Sequence, residues 1–331
     1  MQLSRRAFLA TTLAATAARG QSAPYSAAMD RAAELDQLHS IVIAHEGQVA
    51  AAEAFRGPGL ERAANIKSVS KTIVAALTGI AIDNGLLPGT EARLGDVAPG
   101  LIPGAADPRV TDITVADLLT MQAGLERTSG GNYGAWVSSR NWVADALSRP
   151  FVAEPGSRML YSTGSYHIMG AVLSEVSGES LHSLARRWLG APLGIDIPPW
   201  TRDPQGRFMG GNEMAMSPLA LMRFGEVFRQ NGQYGGTQVV SADWVAAAFT
   251  PRTRSFFSRH DYGYGWFLPR FGGHSVAYGR GYGGQMIYVV PDLALTVAIT
   301  SDPNRPARSD GHVGALNGLM RDLILPEAEL A

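Results

Sequence analysis

Apolar and polar positions fall into strand-like runs at the two ends of the chain and helix-like runs between them. Residues 40–47 and 48–55 read as two strands joined at Glu46-Gly47, a hairpin signal. Arg56-Gly-Pro-Gly59 breaks that pattern. Residues 69–84 are good helix formers on balance and end at Gly85. A second helix is predicted over 114–120, with Thr114 as N-cap and Asp117 three residues on, stopping by Gly124. Residues 126–142, rich in Gly, Ser, Asn and aromatics, read as a long loop, and 150–156 as a turn. Further helices are predicted over 141–147, 164–176, 181–189 and 217–230, the last opened by Ser217-Pro218. The final third changes period. Short β-prone runs at 264–268, 275–278, 286–290 and 293–299 are separated by glycine and proline, and residues 311–325 close the chain as a helix.

The simplest packing of these elements is an α/β fold of the α+β kind. One antiparallel sheet takes strands from both ends, the terminal helices cover it, and a mostly helical lobe is inserted. The sheet lobe is expected at about 30–60 and 255–331 and the helical lobe at about 61–254, with 21–35 a leader into the fold. No internal repeat is visible.

Composition sharpens this picture at three points. The chain has 331 residues, 46% apolar and 17% charged, enough to bury a sizeable core. A net charge of −1 gives no sign of nucleic acid or an anionic membrane as partner. The absence of cysteine excludes disulfides, thiolate nucleophiles and thiolate-bound metal. At the N-terminus, Ser4-Arg5-Arg6-Ala7-Phe8-Leu9 and the Ala/Thr-rich stretch to Ala18 read as a twin-arginine export signal. A frayed amphipathic helix is the plainer alternative. The expectation is a signal over 1–20, the folded functional domain over 21–331, and a periplasmic or extracellular protein. The apolar run is short for a membrane span, and no later segment reads as one, so no stable insertion is expected after the signal is removed.

The candidate chemistry centres on Ser68 and Lys71. No serine is flanked by glycines in the nucleophile-elbow pattern, and His45-Glu46 has no second histidine at metalloprotease spacing. A triad assembled from distant residues stays open. Ser68-Val-Ser-Lys71 stands at the start of the helix predicted over 69–84. Residues at i and i+3 share a helix face, so the amine of Lys71 can reach the hydroxyl of Ser68. Free N–H groups at that helix end would help hold an oxyanion. Of 28 basic residues, only Lys67 and Lys71 are lysine. A guanidinium does not serve as a base, whereas an amine does once its pKa falls. Lowering a lysine from about 10.4 to about 7.5 costs roughly 4 kcal/mol, which burial and nearby positive charge can supply. The spacing alone is weak, because most helical lysines are solvated; Lys67 is read that way.

Two further motifs change the weight of the pair. Tyr161-Ser-Thr163 lies between the turn Glu154-Pro-Gly156 and a helix, where Tyr161 is either a proton relay or a packed aromatic. Gly279-Arg-Gly281 precedes a strand; its glycines either admit a substrate backbone to a sheet edge or form a flexible hairpin. Tyr133 and Trp136 are candidate pocket walls, with lobe packing as the plainer role.

Ser68-x-x-Lys71, Tyr161-Ser-Thr163 and Gly279-Arg-Gly281, in that order, resemble the three-motif set of the serine β-lactamase and penicillin-binding-protein superfamily. The likeness runs from His45-Glu-Gly47 to the C-terminal helix, and is nearest the class C-like branch that includes esterases and 6-aminohexanoate-dimer hydrolases. The resemblance implies a two-lobed fold, an acyl-enzyme on Ser68, and proton transfers shared by Lys71 and Tyr161. It implies an oxyanion hole from the backbone N–H groups of Ser68 and Tyr282, and substrate contacts at Thr163, Gly279 and Gly281. Thr163 stands where β-lactamases usually carry asparagine, and Gly279 where they carry a lysine that helps bind the substrate carboxylate. On a strand, Arg280 should face opposite to Gly279 and not replace that lysine. The expected substrate is therefore a small neutral ester or amide, with no cofactor and no metal. A class C-type β-lactamase or D-alanyl-D-alanine carboxypeptidase, and a sensor domain without turnover, are the alternatives.

Overall fold

The computed structural model describes residues 23–330; the expected export signal over 1–20 lies outside them. The leader forms a helix, α1 (Ser26–Glu34), which buries only Ala28 and Ala32 fully, too narrow an apolar stripe to read from sequence. The N-terminal hairpin follows as β1 (Leu38–His45) and β2 (Gln48–Ala54). Glu46 and Gly47 at its tip both take left-handed backbone, as a two-residue hairpin turn requires.

The central part is mostly helical, with short two-stranded ribbons between the helices, one of them Gln233–Tyr234 paired with Thr237–Gln238. Strand β3 (Ala64–Lys67) leads into α2 (Ser70–Asp83), and pairs across the lobe with β4 (Met214–Met216). Helix α2 is buried from Ser70 through Ala81, which is why it is apolar all round rather than amphipathic. Helix α3 (Val115–Thr120) carries a full capping box: Asp117 N–H donates to Thr114 Oγ1 at 3.1 Å, and Thr114 N–H to Asp117 Oδ2 at 2.9 Å. It ends at left-handed Met121, three residues before the expected glycine stop. Residues 126–142 are not an open loop. They hold a 3₁₀ turn (Gly130–Asn132) and a short helix (Tyr133–Val137), anchored by the burial of Trp136. Helix α4 (Thr163–Ser177) and helix α5 (Pro218–Arg229), capped by Ser217, complete the frame around α2.

The last third supplies β5 (Thr253–Arg254), β6 (Asp261–Tyr262), β7 (Phe267–Leu268), β8 (Ala277–Gly281), β9 (Gln285–Val290), β10 (Leu295–Ser301) and helix α6 (His312–Leu319). Gly279-Arg-Gly281 thus lies within a strand rather than before one. The eight strands form one antiparallel sheet in the order β2-β1-β10-β9-β8-β7-β6-β5. N- and C-terminal strands meet where β1 pairs with β10, Ile43 opposite Val297. Helix α5 presses on one face so closely that a Cβ on Gly225 would come within 2.6 Å of Thr296 Cγ2. Tyr288 points to the other face and donates its O–H to Asn317 of α6 at 2.9 Å. Among the described residues, no helix is long and apolar enough to cross a membrane.

A polar clamp ties the sheet to the C-terminal helical segment. His274 Nδ1 lies 2.7 Å from Asp292 Oδ2, and its Nε2 lies 2.5 Å from Glu329 Oε1. Hydrogen bonds to Asp292 and Glu329 hold His274 above the usual histidine pKa. A raised folded-state pKa adds stability that is complete below about pH 6.5 and is lost as pH rises through the folded value. The melting-temperature gap between wild type and His274→Gln should therefore be wide at pH 6 and close at pH 9. A gap independent of pH would refute a protonated clamp.

Candidate active site

Ser68 occupies the turn between β3 and α2. Lys67 before it takes left-handed backbone (φ 49°), a strained state for a side-chain-bearing residue. The turn is pinned from several sides. Asn65 Oδ1 accepts from Lys67 N–H at 2.8 Å, and Ser70 donates its hydroxyl to the Lys67 carbonyl at 2.5 Å while accepting from Met214 N–H at 3.2 Å. Ser70 is therefore a fully buried structural hydroxyl. Lys67, read from sequence as a solvated lysine, is instead in the cleft wall. Its Nζ is 3.0 Å from Glu213 Oε1, because β4 brings Glu213 alongside β3.

Lys71, one turn into α2, is only 2% exposed. Its Nζ donates to the Gly211 carbonyl at 2.7 Å and lies 3.1 Å from Ser68 Oγ. Burial pushes its pKa down, against an opposing pull from Tyr161. Tyr161 comes from the loop ahead of α4. Lys71 Nζ lies 4.9 Å from its ring centroid, and Ser68 and Lys71 both act electrostatically on its phenol. Burial pushes the phenol up, but the Lys71 charge, the Ser68 hydrogen bond and the Arg280 charge together bring it below the usual tyrosine value. Hydroxyl, amine and phenol thus form one electrostatically coupled cluster.

The site's rim is set by glycines and by the stitched 126–142 segment. Thr163 opens α4, where its N–H donates to Ser129 Oγ at 2.8 Å and its hydroxyl meets the same atom at 3.0 Å. A Cβ on Gly281 would fall 2.4 Å from the Ile66 carbonyl, so only glycine lets β8 lie against the nucleophile turn. Tyr282, just past β8, has a half-exposed side chain in the cleft. Buried Gln285 fixes its turn, accepting from Ser301 N–H at 3.0 Å and donating to the Ser301 carbonyl at 2.8 Å. Among the described residues, neither the Ser68 nor the Tyr282 backbone N–H donates to a protein acceptor.

Ser68, Tyr161, Thr163, Tyr133, Gly281 and Tyr282 line one cleft of about 720 Å³. Two of the expected substrate contacts lie elsewhere. Gly279 faces inward, where a Cβ would sit 2.7 Å from Thr72 Cγ2 of α2; it contributes close packing rather than a cleft surface. Trp136 is fully buried behind Tyr133, donating Nε1–H to the Trp142 carbonyl at 2.8 Å. Arg280 does alternate with its flanking glycines, yet it reaches the cleft. Strand β7 pairs with β8 only at Tyr278, so beyond that point the strand edge is open. Arg127, Phe257 and Arg308 also line the cleft, with both guanidinium groups over the Phe257 ring at 5.7 and 4.9 Å. No local spacing marks these residues, nor Glu213, Asn212 or Ser129, because the fold brings them from separate segments.

Sheet, inserted lobe and the nucleophile turn between them define a β-lactamase/transpeptidase-like fold. A family model described as Beta-lactamase matches residues 36–317, and the chain belongs to that family of serine hydrolases. No curated protein matches the chain. Similar solved structures include a proposed 6-aminohexanoate-dimer hydrolase from Bacillus anthracis (16% identity, TM-score 0.76, covering 89% of this chain and 80% of that one). EstCE1, a hydrolase with promiscuous acyltransferase activity, is 18% identical (TM-score 0.74; 91% and 99% covered). An octameric penicillin-binding protein homologue from Pyrococcus abyssi is 20% identical (TM-score 0.69; 91% and 79% covered). At these identities the likeness carries the fold.

The approach of β8 to the nucleophile turn gives a direct test. Gly281→Ala must push β8 away from Ile66, and is expected to lower stability by about 1–3 kcal/mol, read as a fall in the urea midpoint. An unchanged midpoint would mean that β8 has room to spare.

Proposed function

We propose that this chain hydrolyses an ester or amide through an acyl-enzyme on Ser68. The observation that carries the reading is the buried Lys71 amine, 3.1 Å from Ser68 Oγ, its pKa lowered by desolvation. As Ser68 Oγ attacks the substrate carbonyl, its proton passes to Lys71, directly or through Tyr161. The Ser68 and Tyr282 N–H groups would receive the developing oxyanion; one such donor is worth about 2.7–4 kcal/mol in enzymes where it has been removed. Tyr161, beside both groups, returns the proton to the leaving alcohol or amine as the C–O or C–N bond breaks. Water then attacks the acyl carbonyl, gives up its proton to the same pair, and releases the acid and Ser68.

A fluorophosphonate should add one covalent mass to the wild type and none to Ser68→Ala. Lys71→Arg keeps the positive charge without the base, so turnover of a p-nitrophenyl ester should fall to background while the fold persists. Labelling that survives in Ser68→Ala, or Lys71→Arg turnover near wild type, would sink the assignment. With both positions active, the export signal at 1–20 would place this hydrolysis outside the cytoplasm.

One observation favours a second reading. Arg127, Arg280 and Arg308 have no carboxylate partner within 4.0 Å among the described residues, and all three line the cleft. They supply the positive charge that Gly279 appeared to remove, and so favour an anionic substrate such as a lactam or a peptide C-terminus. If so, nitrocefin should be turned over efficiently, and Arg280→Gln should raise its KM at least tenfold, about 1.4 kcal/mol, while the KM of a neutral ester stays within about twofold, any loss of kcat through Tyr161 being shared by both substrates. Equal effects on both KM values would remove this reading.

A further inference from the structure

Behind the site lies a fully buried ionisable pair. His167 and Asp203 have no side-chain exposure, and His167 Nε2 is 3.1 Å from Asp203 Oδ2. His167 is also wedged between the indoles of Trp136 and Trp142, with ring centroids 5.8 and 5.5 Å away. Burying such a pair is expensive and is poor evidence for stability by itself. Its hydrogen bonds leave one arrangement only. Asp203 Oδ1 accepts the N–H groups of Gln205 at 2.9 Å and Arg207 at 2.8 Å, so Oδ2 is left to accept from His167. Nε2 therefore carries the proton. Nδ1 is the acceptor for Gly210 N–H at 3.4 Å. The contacts thus orient the ring with Nε2 toward Asp203 and Nδ1 toward Gly210.

Gly210 leads directly to the catalytic amine. A Cβ there would meet the Tyr166 carbonyl at 2.1 Å, and one on Gly211 would meet the Thr163 carbonyl at 2.9 Å. The segment is thus pressed on the first turns of α4, with no side chain of its own to hold it. Trp200 Nε1–H fixes the preceding carbonyl of Met209 at 2.8 Å, and His167 fixes the next amide. Two peptide units on, the Gly211 carbonyl receives Lys71 Nζ at 2.7 Å. A neutral amine has two N–H bonds and one lone pair. Engaging one N–H with Gly211 O restricts rotation about Cε–Nζ and leaves the lone pair for Ser68.

We propose that His167 and Asp203 are positioning residues, which hold Gly210–Gly211 so that the Gly211 carbonyl aims the Lys71 lone pair at Ser68. The inference rests on the Ser68–Lys71 reading above. Neither residue touches substrate.

Asp203→Asn tests it with almost no change in volume. Its oxygen must keep accepting from Gln205 and Arg207, so its NH₂ faces His167 Nε2. The imidazole then protonates at Nδ1, donor against the Gly210 donor, and the amide is released. Turnover of a p-nitrophenyl ester should fall about 10–100-fold with KM within about twofold. His167→Asn keeps an acceptor near the Nδ1 position; it should retain turnover within about threefold, and adding it to Asp203→Asn should rescue that variant. The acidic limb of kcat/KM gives a signed readout. Lys71 is faced by Ser68, Tyr161, the Gly211 carbonyl and Tyr166 of α4, with Arg280 acting on Tyr161 and Tyr262 bonded to Tyr166. Losing the carbonyl removes an acceptor for the ammonium, so the limb should move to lower pH in Asp203→Asn. Mere loosening would admit water and move it up. An upward shift, a loss confined to KM, equal losses in Asp203→Asn and His167→Asn, or absence of rescue would each overturn the proposal. Wild-type labelling of Ser68 by a fluorophosphonate separates the two readings: without it the Ser68 assignment fails first and this inference with it, and with it any failure belongs to His167 and Asp203 alone.

Discussion

An amine buried 3.1 Å from a serine hydroxyl is the constraint on which the rest of this structure depends. Lowering a lysine's pKa takes it out of water, yet the amine still needs partners for its N–H groups. Helix α2 meets the first need by being buried along almost its whole length, which requires the sheet on one side and the inserted lobe on the other. The Gly211 carbonyl, reached only by folding a segment about 140 residues away against α4, meets the second. The two-lobed architecture is the consequence: neither lobe alone can both bury Lys71 and leave Ser68 open to a cleft.

Close backbone approach is the second theme. Ser68 sits where three segments converge: β3, the end of β8, and the Gly210–Gly211 stretch. Each contact is possible because a side chain is missing. Gly281 admits the Ile66 carbonyl, Gly210 the Tyr166 carbonyl and Gly279 the Thr72 methyl. The left-handed turn at Lys67 is held by the β3–β4 ribbon through Asn65, Ser70 and Glu213. Strain in the backbone and tight glycine packing are thus concentrated within the few residues that present the hydroxyl.

Charge is distributed unevenly around that point. Glu213 is satisfied by Lys67, Asn65 and Asn212, whereas the arginines of the opposite rim are not matched by carboxylates among the described residues. The cleft therefore presents a net positive rim around the Ser68, Lys71 and Tyr161 cluster. Such an arrangement favours negative charge that develops on a reacting carbonyl, and negative charge already carried by a substrate.

Local rules made much of this legible in the chain itself. The hairpin at Glu46-Gly47, the Thr114–Asp117 capping box and the Ser217-Pro218 helix start need only neighbours a few residues apart, and each is present. The Ser68–Lys71 spacing belongs to the same class, because Ser68 stands in the turn that opens the helix and the Lys71 N–H bonds its carbonyl at 3.1 Å, which keeps i and i+3 on one side. Sequence failed where contacts span the fold. Trp136 was readable as aromatic but not as facing away from the cleft; Lys67 was readable as lysine but not as the partner of Glu213. His167, Asp203 and Gly210–Gly211 carried no signal, since no spacing relates them to Lys71. Sequence by itself determined which groups could do chemistry and which elements would carry them, because those are properties of local geometry. Only the tertiary structure decided which of them meet and which amine is dry, because desolvation and close approach are properties of packing between distant segments.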